Sequence, residues 1–231
     1  MNSLPKLLLH TPLSPFVRPY FERQFADFEI SDRMDSDFSK ALMVSSTDVY
    51  NVASGSGHDE TTPLLPRHSV LRLENEFTEA CRLRGVAPTI LRCPHIIGTG
   101  MTGLPRDMVN KIYRGTYFHI KDVNEHLSVV HASDVAKAAG CCLDSGETLI
   151  VTDGVDPSYA ELAEALAYRL DHKRIFTIGE RWARWRYSSA LYNILTTTLT
   201  FSSQRLQNEY GFRPTSVCSY LTTHVYDDES L

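Results

Sequence analysis

The chain has 231 residues, 42% of them hydrophobic and 22% charged, with a formal net charge of −5. That length fills one good core, or a large domain with a small appended lobe. The acid excess argues against a nucleic-acid or anionic-membrane partner, which calls for clustered Lys and Arg, and no stretch approaches the roughly 18 apolar residues of a membrane span.

Lys6 to His10 is a short apolar run, expected as a buried strand. Thr11 to Pro15 reads as a proline-punctuated turn, Phe16 to Phe25 as a helix with aromatic anchors, and Phe28 to Ser31 as a second short strand. Asp32 to Ser39, with three Asp, reads as a loop, and Lys40 to Ser46 as an apolar strand ending in hydroxyls. Gly, Ser, His, Asp, Thr and Pro crowd Asn51 to Arg67, the signature of a long loop. His68 to Arg84 has helical periodicity, with Leu71, Phe77, Ala80, Cys81 and Arg84 spaced for one face and Gly85 as its stop. Ala87 to Cys93 follows as a buried strand closed by Pro94. Strand, helix and strand with short connections predict a right-handed βαβ unit and a mostly parallel sheet.

The second half alternates shorter pieces. Leu104 to Arg114 suits a helix ended by Gly115, and Ser128 to His131 a strand. Ala132 opens a helix through Leu143, with Ser133 expected as its N-cap and Asp134 as a favourable charge at its N-terminus. Thr148 to Thr152 reads as a strand, and Ser158 to Leu170 as an amphipathic helix with a capping box from Ser158 to Glu161. Arg181 to Thr197 reads as one aromatic-rich helix, and Gln204 to Tyr210 as a last short helix ended by Gly211. The nearest thing to a basic cluster is Lys173-Arg174 with Arg181, Arg184 and Arg186; Trp182 and Trp185 among them suggest a partly buried helix with snorkelling arginines.

The five cysteines have no metal-type spacing, and an odd count fits reduced thiols in a cytoplasmic protein. Met1 to His10 lacks the pattern of a signal peptide. His119, His126 and His131 share no face with carboxylates at ligand spacing, so no metal site is expected.

Several ordered motifs carry a resemblance. Ser45-Ser46-Thr47-Asp48-Val49-Tyr50 resembles the strand that delivers the active-site hydroxyl in extended short-chain dehydrogenases/reductases, the NAD-dependent epimerase/dehydratase family. Leu91-Arg92-Cys93-Pro94-His95-Ile96-Ile97-Gly98-Thr99-Gly100 is similar to the family segment that runs past the nicotinamide. Val130-His131-Ala132-Ser133-Asp134-Val135-Ala136 resembles its strand-to-helix corner, and Gly211-Phe212-Arg213-Pro214 its C-terminal signature. The resemblance implies a Rossmann-like, mostly parallel α/β sheet with flanking helices, shortened in its N-terminal half. Residues 1–98 with 127–143 would form that domain, and 99–126 with 144–231 a small substrate-type lobe.

Two departures accompany it. The family opens with a glycine-rich turn, where the backbone approaches a pyrophosphate at a helix N-terminus. Here that turn is His10-Thr11-Pro12-Leu13-Ser14-Pro15-Phe16, without glycine, and at least one strand–helix unit of the adenosine half is expected to be missing. Asp32 stands where a ribose-binding acid would, or simply closes a polar loop. The family's Tyr-x-x-x-Lys falls on His68 and Arg72.

By resemblance, Thr47, His68 and Arg72 would then be the catalytic positions, and Ser45, Ser46, Arg72, Pro94, His95 and Ile96 would line an NAD or NADP site. An imidazole with a pKa of about 6.5 exchanges protons near neutrality, whereas Arg72 only donates hydrogen bonds. The plain reading of the same residues is an exposed histidine and an i,i+4 ion pair between Arg72 and Glu76. His95 either faces the cleft or is an ordinary surface or core histidine. Three functions stay open: a degenerate family member binding a nucleotide- or sugar-like molecule or a protein partner, an atypical NAD(P)-dependent enzyme using His68, and an assembly subunit pairing as a homodimer through helix 68–84.

Overall fold

A strand buried on both faces needs an unbroken apolar run, and Lys6–His10 (β1) supplies Leu7, Leu8 and Leu9, all shielded from solvent. The computed structural model describes residues 4–171 and 173–223. The chain continues through α1 (Arg18–Gln24), β2 (Glu29–Ser31), β3 (Lys40–Ser46), β4 (Gly55–His58), α2 (Ser69–Arg82) and β5 (Pro88–Cys93). Then come β6 (His95–Ile97), α3 (Gly103–Tyr113), β7 (Phe118–Ile120), β8 (Val129–His131), α4 (Ala132–Cys142) and β9 (Thr148–Ile150). Last are α5 (Tyr159–Arg169), β10 (Phe176–Ile178), α6 (Glu180–Arg186), α7 (Ser189–Leu195), β11 (Leu199–Phe201), α8 (Gln204–Tyr210) and α9 (Val217–Thr223).

Five parallel strands form the central sheet in the order β2-β1-β3-β5-β9. β2 pairs directly with β1 and forms the edge of the sheet. The return from β2 across β1 to β3 is made by loop 32–39 with no helix, so this crossover is the shortened one. On one face α1 and α4 pack Phe21, Val135 and Ala139 against Leu7, Leu9 and Leu42. On the other face α2 brings Phe77 and Cys81 onto Leu8 and Met43, with Phe38 of the crossover loop beside them. A second core gathers α3, α5, α6, α7 and α9 around Met108, Leu162 and Leu166. β9 pairs with β5, and Leu206 and Phe212 enter the sheet core, although all three lie in the 144–231 stretch assigned from sequence to the lobe.

Four local readings are corrected. The expected helix over 181–197 is two: Tyr187 is extended, and the Ser188 side chain caps α7 by accepting from Leu191 N–H, as a Ser-Ser pair is suited to do. α4 is capped by His131, whose Nδ1 accepts the Ser133 N–H at 3.2 Å, not by Ser133. Buried Asp134 does more than favour a helix end; its carboxylate accepts from Thr215 N–H at 2.6 Å and from Lys137. Trp182 and Trp185 are 66% and 77% exposed rather than buried. The capping box of α5 is complete in both directions, as read from sequence. Among the described residues no helix is long and apolar enough to cross a membrane, and no group of three metal-ligating side chains occurs.

α2 is anchored by a charge. Its inward face is Val70, Glu74, Phe77 and Cys81, and Glu74 is 4% exposed. Arg92 of β5, 7% exposed, donates to it twice, Nη2 to Oε2 at 2.7 Å and Nε to Oε1 at 3.0 Å. Ser45 Oγ of β3 adds a third bond at 2.6 Å, and Arg92 Nη1 reaches the Tyr50 hydroxyl at 3.1 Å. The fork satisfies both carboxylate oxygens, the condition for burying such a pair. Glu74→Ala strands the guanidinium and is expected to destabilise the fold by roughly 3–5 kcal/mol, read as a lowered urea midpoint. Glu74→Leu with Arg92→Met recovers most of that loss; an additive double loss would contradict the paired reading.

Candidate ligand-binding cleft

β3 ends where Ser46 Oγ accepts the Asp48 N–H at 3.1 Å and turns the chain into a 3-10 turn at Thr47–Val49. β5 ends beside it, with Ser46 paired to Cys93, and Pro94 then redirects the chain into β6. The connections from β1 and from β3 leave to opposite sides, so the sheet has its switch point between them. Ligands of open α/β sheets bind outside the carboxyl ends of strands at such a point.

Two adjoining cavities lie there. The larger, about 490 Å³, is walled by Ser46, Thr47, Asp48, Tyr50, Pro94 and His95 on the sheet side and by Ser128, Tyr159, Asn193, Thr197, Leu199 and Phe201 opposite. The smaller, about 270 Å³, opens toward the turn after β1 and is lined by Leu13, Ser14, Phe16, Ser45, Val70 and Ile96. Ser46, Asp48, Pro94 and His95 border both.

Thr47 is 4% and Tyr159 7% exposed, yet neither hydroxyl has a hydrogen-bond partner among the described residues. The Asn193 amide and Thr197 hydroxyl are equally unengaged. Burial raises the Tyr159 phenol to about 12, so it is a donor near neutrality. Among the described residues no Lys or Arg borders either cavity, and Asp48 is the one carboxylate.

The residues singled out from sequence divide. Thr47, Ser46, Pro94, His95 and Ile96 reach the cleft. Ser45 touches the smaller cavity, but its hydroxyl is held by Glu74. His68 does not line either cavity; its Nδ1 accepts the Val70 N–H at 3.4 Å and caps α2. Arg72 is outside as well, its side chain 77% exposed and 3.6 Å from Glu76. The physical reason is helical phase: with Glu74 facing inward, a residue two positions away points outward. Val70 is the α2 residue that lines the cavity, and its i+4 neighbour on the same inward face, Glu74, is taken by Arg92. Tyr50, Tyr159, Asn193, Thr197 and Phe201 were not singled out. They come from separated segments, and only tertiary proximity marks them.

Solved structures resemble this chain at low identity. RMD from Pseudomonas aeruginosa, complexed with NADPH, aligns over 97% of this chain and 98% of its own, with 16% identity and a TM-score of 0.69. UDP-N-acetylglucosamine 4-epimerase from Bacillus cereus aligns over 97% and 100%, with 13% identity and a TM-score of 0.66. The dTDP-glucose 4,6-dehydratase from Bacillus anthracis in complex with NAD covers 95% of this chain over 71% of its own, at 14% identity and 0.59. The chain has the fold of the NAD-dependent epimerases and dehydratases. No protein-family model matches it, and no curated protein matches its sequence.

Shared with those epimerases and dehydratases in fold, the chain differs where a dinucleotide pyrophosphate would sit. In the segment after β1, Pro12, Pro15 and Pro19 have no N–H, and the N–H groups of Val17 and Arg18 are given to the carbonyls of Ser14 and Pro15. Leu13 and Phe16 line the space instead, and the Phe16 Cβ lies only 3.1 Å from where a Cβ on Gly100 would be. Asp32 is held by Arg18 at 3.6 Å. Prolines and bulky side chains thus stand where the close backbone approach of a pyrophosphate calls for glycine.

Burial pushes the imidazoles of His10 and His95 below their ordinary pKa, against Asp32 and Glu76 near the first and Asp48 near the second. His10 Nε2 is buried without a hydrogen-bond partner among the described residues, and its ring stacks on Phe77. A folded pKa below the unfolded one means that the unfolded chain takes up protons first as pH falls. This stability is complete above the ordinary imidazole pKa of about 6.5 and is lost as pH falls through and below it. The melting temperature is expected to drop on acidification from pH 7 toward 5, and His10→Leu with His95→Leu should flatten that slope. Arg72→Ala, by contrast, should change stability by no more than about 0.5 kcal/mol, because its ion pair is exposed.

Proposed function

We propose that this chain is a small-molecule binding protein on an epimerase/dehydratase scaffold, and that it performs no dinucleotide-dependent oxidoreduction. The observation that carries the reading is the wall of the larger cavity. Four neutral hydrogen-bonding groups, from Thr47, Tyr159, Asn193 and Thr197, face it, and among the described residues these groups have no partners and no Lys or Arg borders the cavity. Hydroxyl and amide groups set among Tyr50, Phe201 and Leu199 suit a neutral, polyhydroxylated, sugar-like molecule. A nucleoside diphosphate would bring two or more negative charges toward Asp48 with no Lys or Arg to meet them.

The absence of a titrating pair at the start of α2 supports the non-enzymatic half of the reading. His68 is engaged as a helix cap and Arg72 faces solvent, so neither offers the cleft a proton. No proton or hydride step is therefore assigned.

Calorimetric titration with NAD, NADP, their reduced forms and UDP is expected to give no heat, whereas a panel of free hexoses and methyl glycosides contains binders. Thr47→Val and Asn193→Ala should each weaken that binding by up to about tenfold, the loss of one hydrogen bond. Micromolar binding of a dinucleotide, or turnover of a nucleotide sugar with it, would falsify the proposal.

A further inference from the structure

A second feature lies away from the cleft, on α6, β10 and β7. Ala183 and Tyr187 turn inward, which leaves Arg181, Trp182 and Trp185 on the outward side of α6. Trp182 and Trp185 are 66% and 77% exposed, in an edge-to-face pair with ring centres 5.7 Å apart. β10 lies beside β7 with Phe176 opposite Phe118, and Phe176 is itself 55% exposed. Arg174 stands over Phe176 at 4.9 Å, and Arg186, one turn after Trp182 on α6, over Phe118 at 5.9 Å, so guanidinium groups and aromatic faces adjoin along this edge.

The charge of this strip opposes that of the whole chain. Lys173, Arg174, Arg181 and Arg186 have no carboxylate partner among the described residues. Of the acids nearby, Glu180 is occupied by Arg184 at 2.9 Å and by the Tyr192 hydroxyl, while Glu164 and Glu161, which share a cavity with Lys173 and Arg174, are engaged by His119 and by the Ser158 N–H. Two copies meeting through the same strip would bring these cations together, so the charge argues for an anionic occupant rather than a second copy. Exposed tryptophans beside arginines have the composition of a membrane-interface anchor: the indole ring sits at headgroup depth and the guanidinium fork takes phosphate oxygens.

We propose that the strip formed by Trp182, Trp185, Phe176, Arg174, Arg181 and Arg186 docks the protein peripherally on an anionic lipid surface. The attachment is interfacial and reversible, since one short helix and two tryptophans bury little apolar area and the remainder is salt-sensitive attraction.

Flotation of the intact chain with lipid vesicles tests this. Vesicles of phosphatidylcholine containing phosphatidylserine should carry the protein at low salt and release it as salt rises, whereas vesicles of phosphatidylcholine alone should not. Arg181→Ala with Arg186→Ala should weaken binding roughly thirtyfold, at about 1 kcal/mol per cation near the surface. Trp182→Ala with Trp185→Ala should abolish flotation with an unchanged melting temperature, because both rings are already in solvent. Equal flotation with neutral vesicles, no flotation with either, or undiminished flotation of both variants would overturn the proposal. So would capture by polyglutamate without vesicle binding, which would assign the strip to an acidic polypeptide.

Discussion

The arrangement of the cleft depends on one buried ion pair. Glu74 and Arg92 join α2 to β5, Ser45 brings β3 into the same bond set, and Tyr50 is held by the guanidinium at the cavity wall. An uncompensated charge in that position would cost several kcal/mol, so the helix has one rotational phase and not another. That phase directs Val70 at the cavity and Arg72 at solvent. A structural requirement of the core thus decides which residues of α2 could ever take part in chemistry.

The front of the sheet illustrates a second constraint. In epimerase-like folds the turn after the first strand is where backbone and ligand approach each other, and close approach requires small residues and free N–H groups. Here two prolines and the side chains of Leu13 and Phe16 occupy that place, while the β3 and β5 ends keep an open cleft next to it. The larger cavity lies at the ends of β3 and β5, and the smaller one beside the turn after β1 is lined by side chains rather than by glycine backbone. The distribution of groups follows the same division: neutral donors and acceptors around the larger cavity, cations elsewhere.

Much of this was legible in the chain. β1, β3 and α8 have the bounds expected from apolar runs and from the Gly211 stop, and the α5 capping box is written in Ser158 and Glu161. Those features are local, set by two to four neighbouring residues, and local rules suffice for them. The inward face of α2 was misread because its central residue is a glutamate, which an apolar pattern passes over. His68 stood as a candidate proton exchanger, yet its ring caps a helix, as the ring of His131 also does, a role that depends on one backbone N–H being within reach. The break at Tyr187 depends likewise on the two hydrogen bonds between its hydroxyl and the Phe118 backbone.

The sequence by itself determined the fold class: alternating strands and helices, a Ser-Ser strand end, and a first turn without glycine already imply a shortened parallel sheet with no ordinary phosphate cradle. Only the tertiary structure decided which side chains share a cavity, because Thr47, Tyr159 and Asn193 come from segments far apart in the chain. It also decided the surface charge. A net charge of −5 is a sum over all residues, but a partner meets only the local field, and screening confines that field to about 8–10 Å at physiological salt. The grouping of Arg174, Arg181 and Arg186 with two tryptophans is already visible in the sequence; what folding decides is that those rings stay in solvent beside the guanidinium groups.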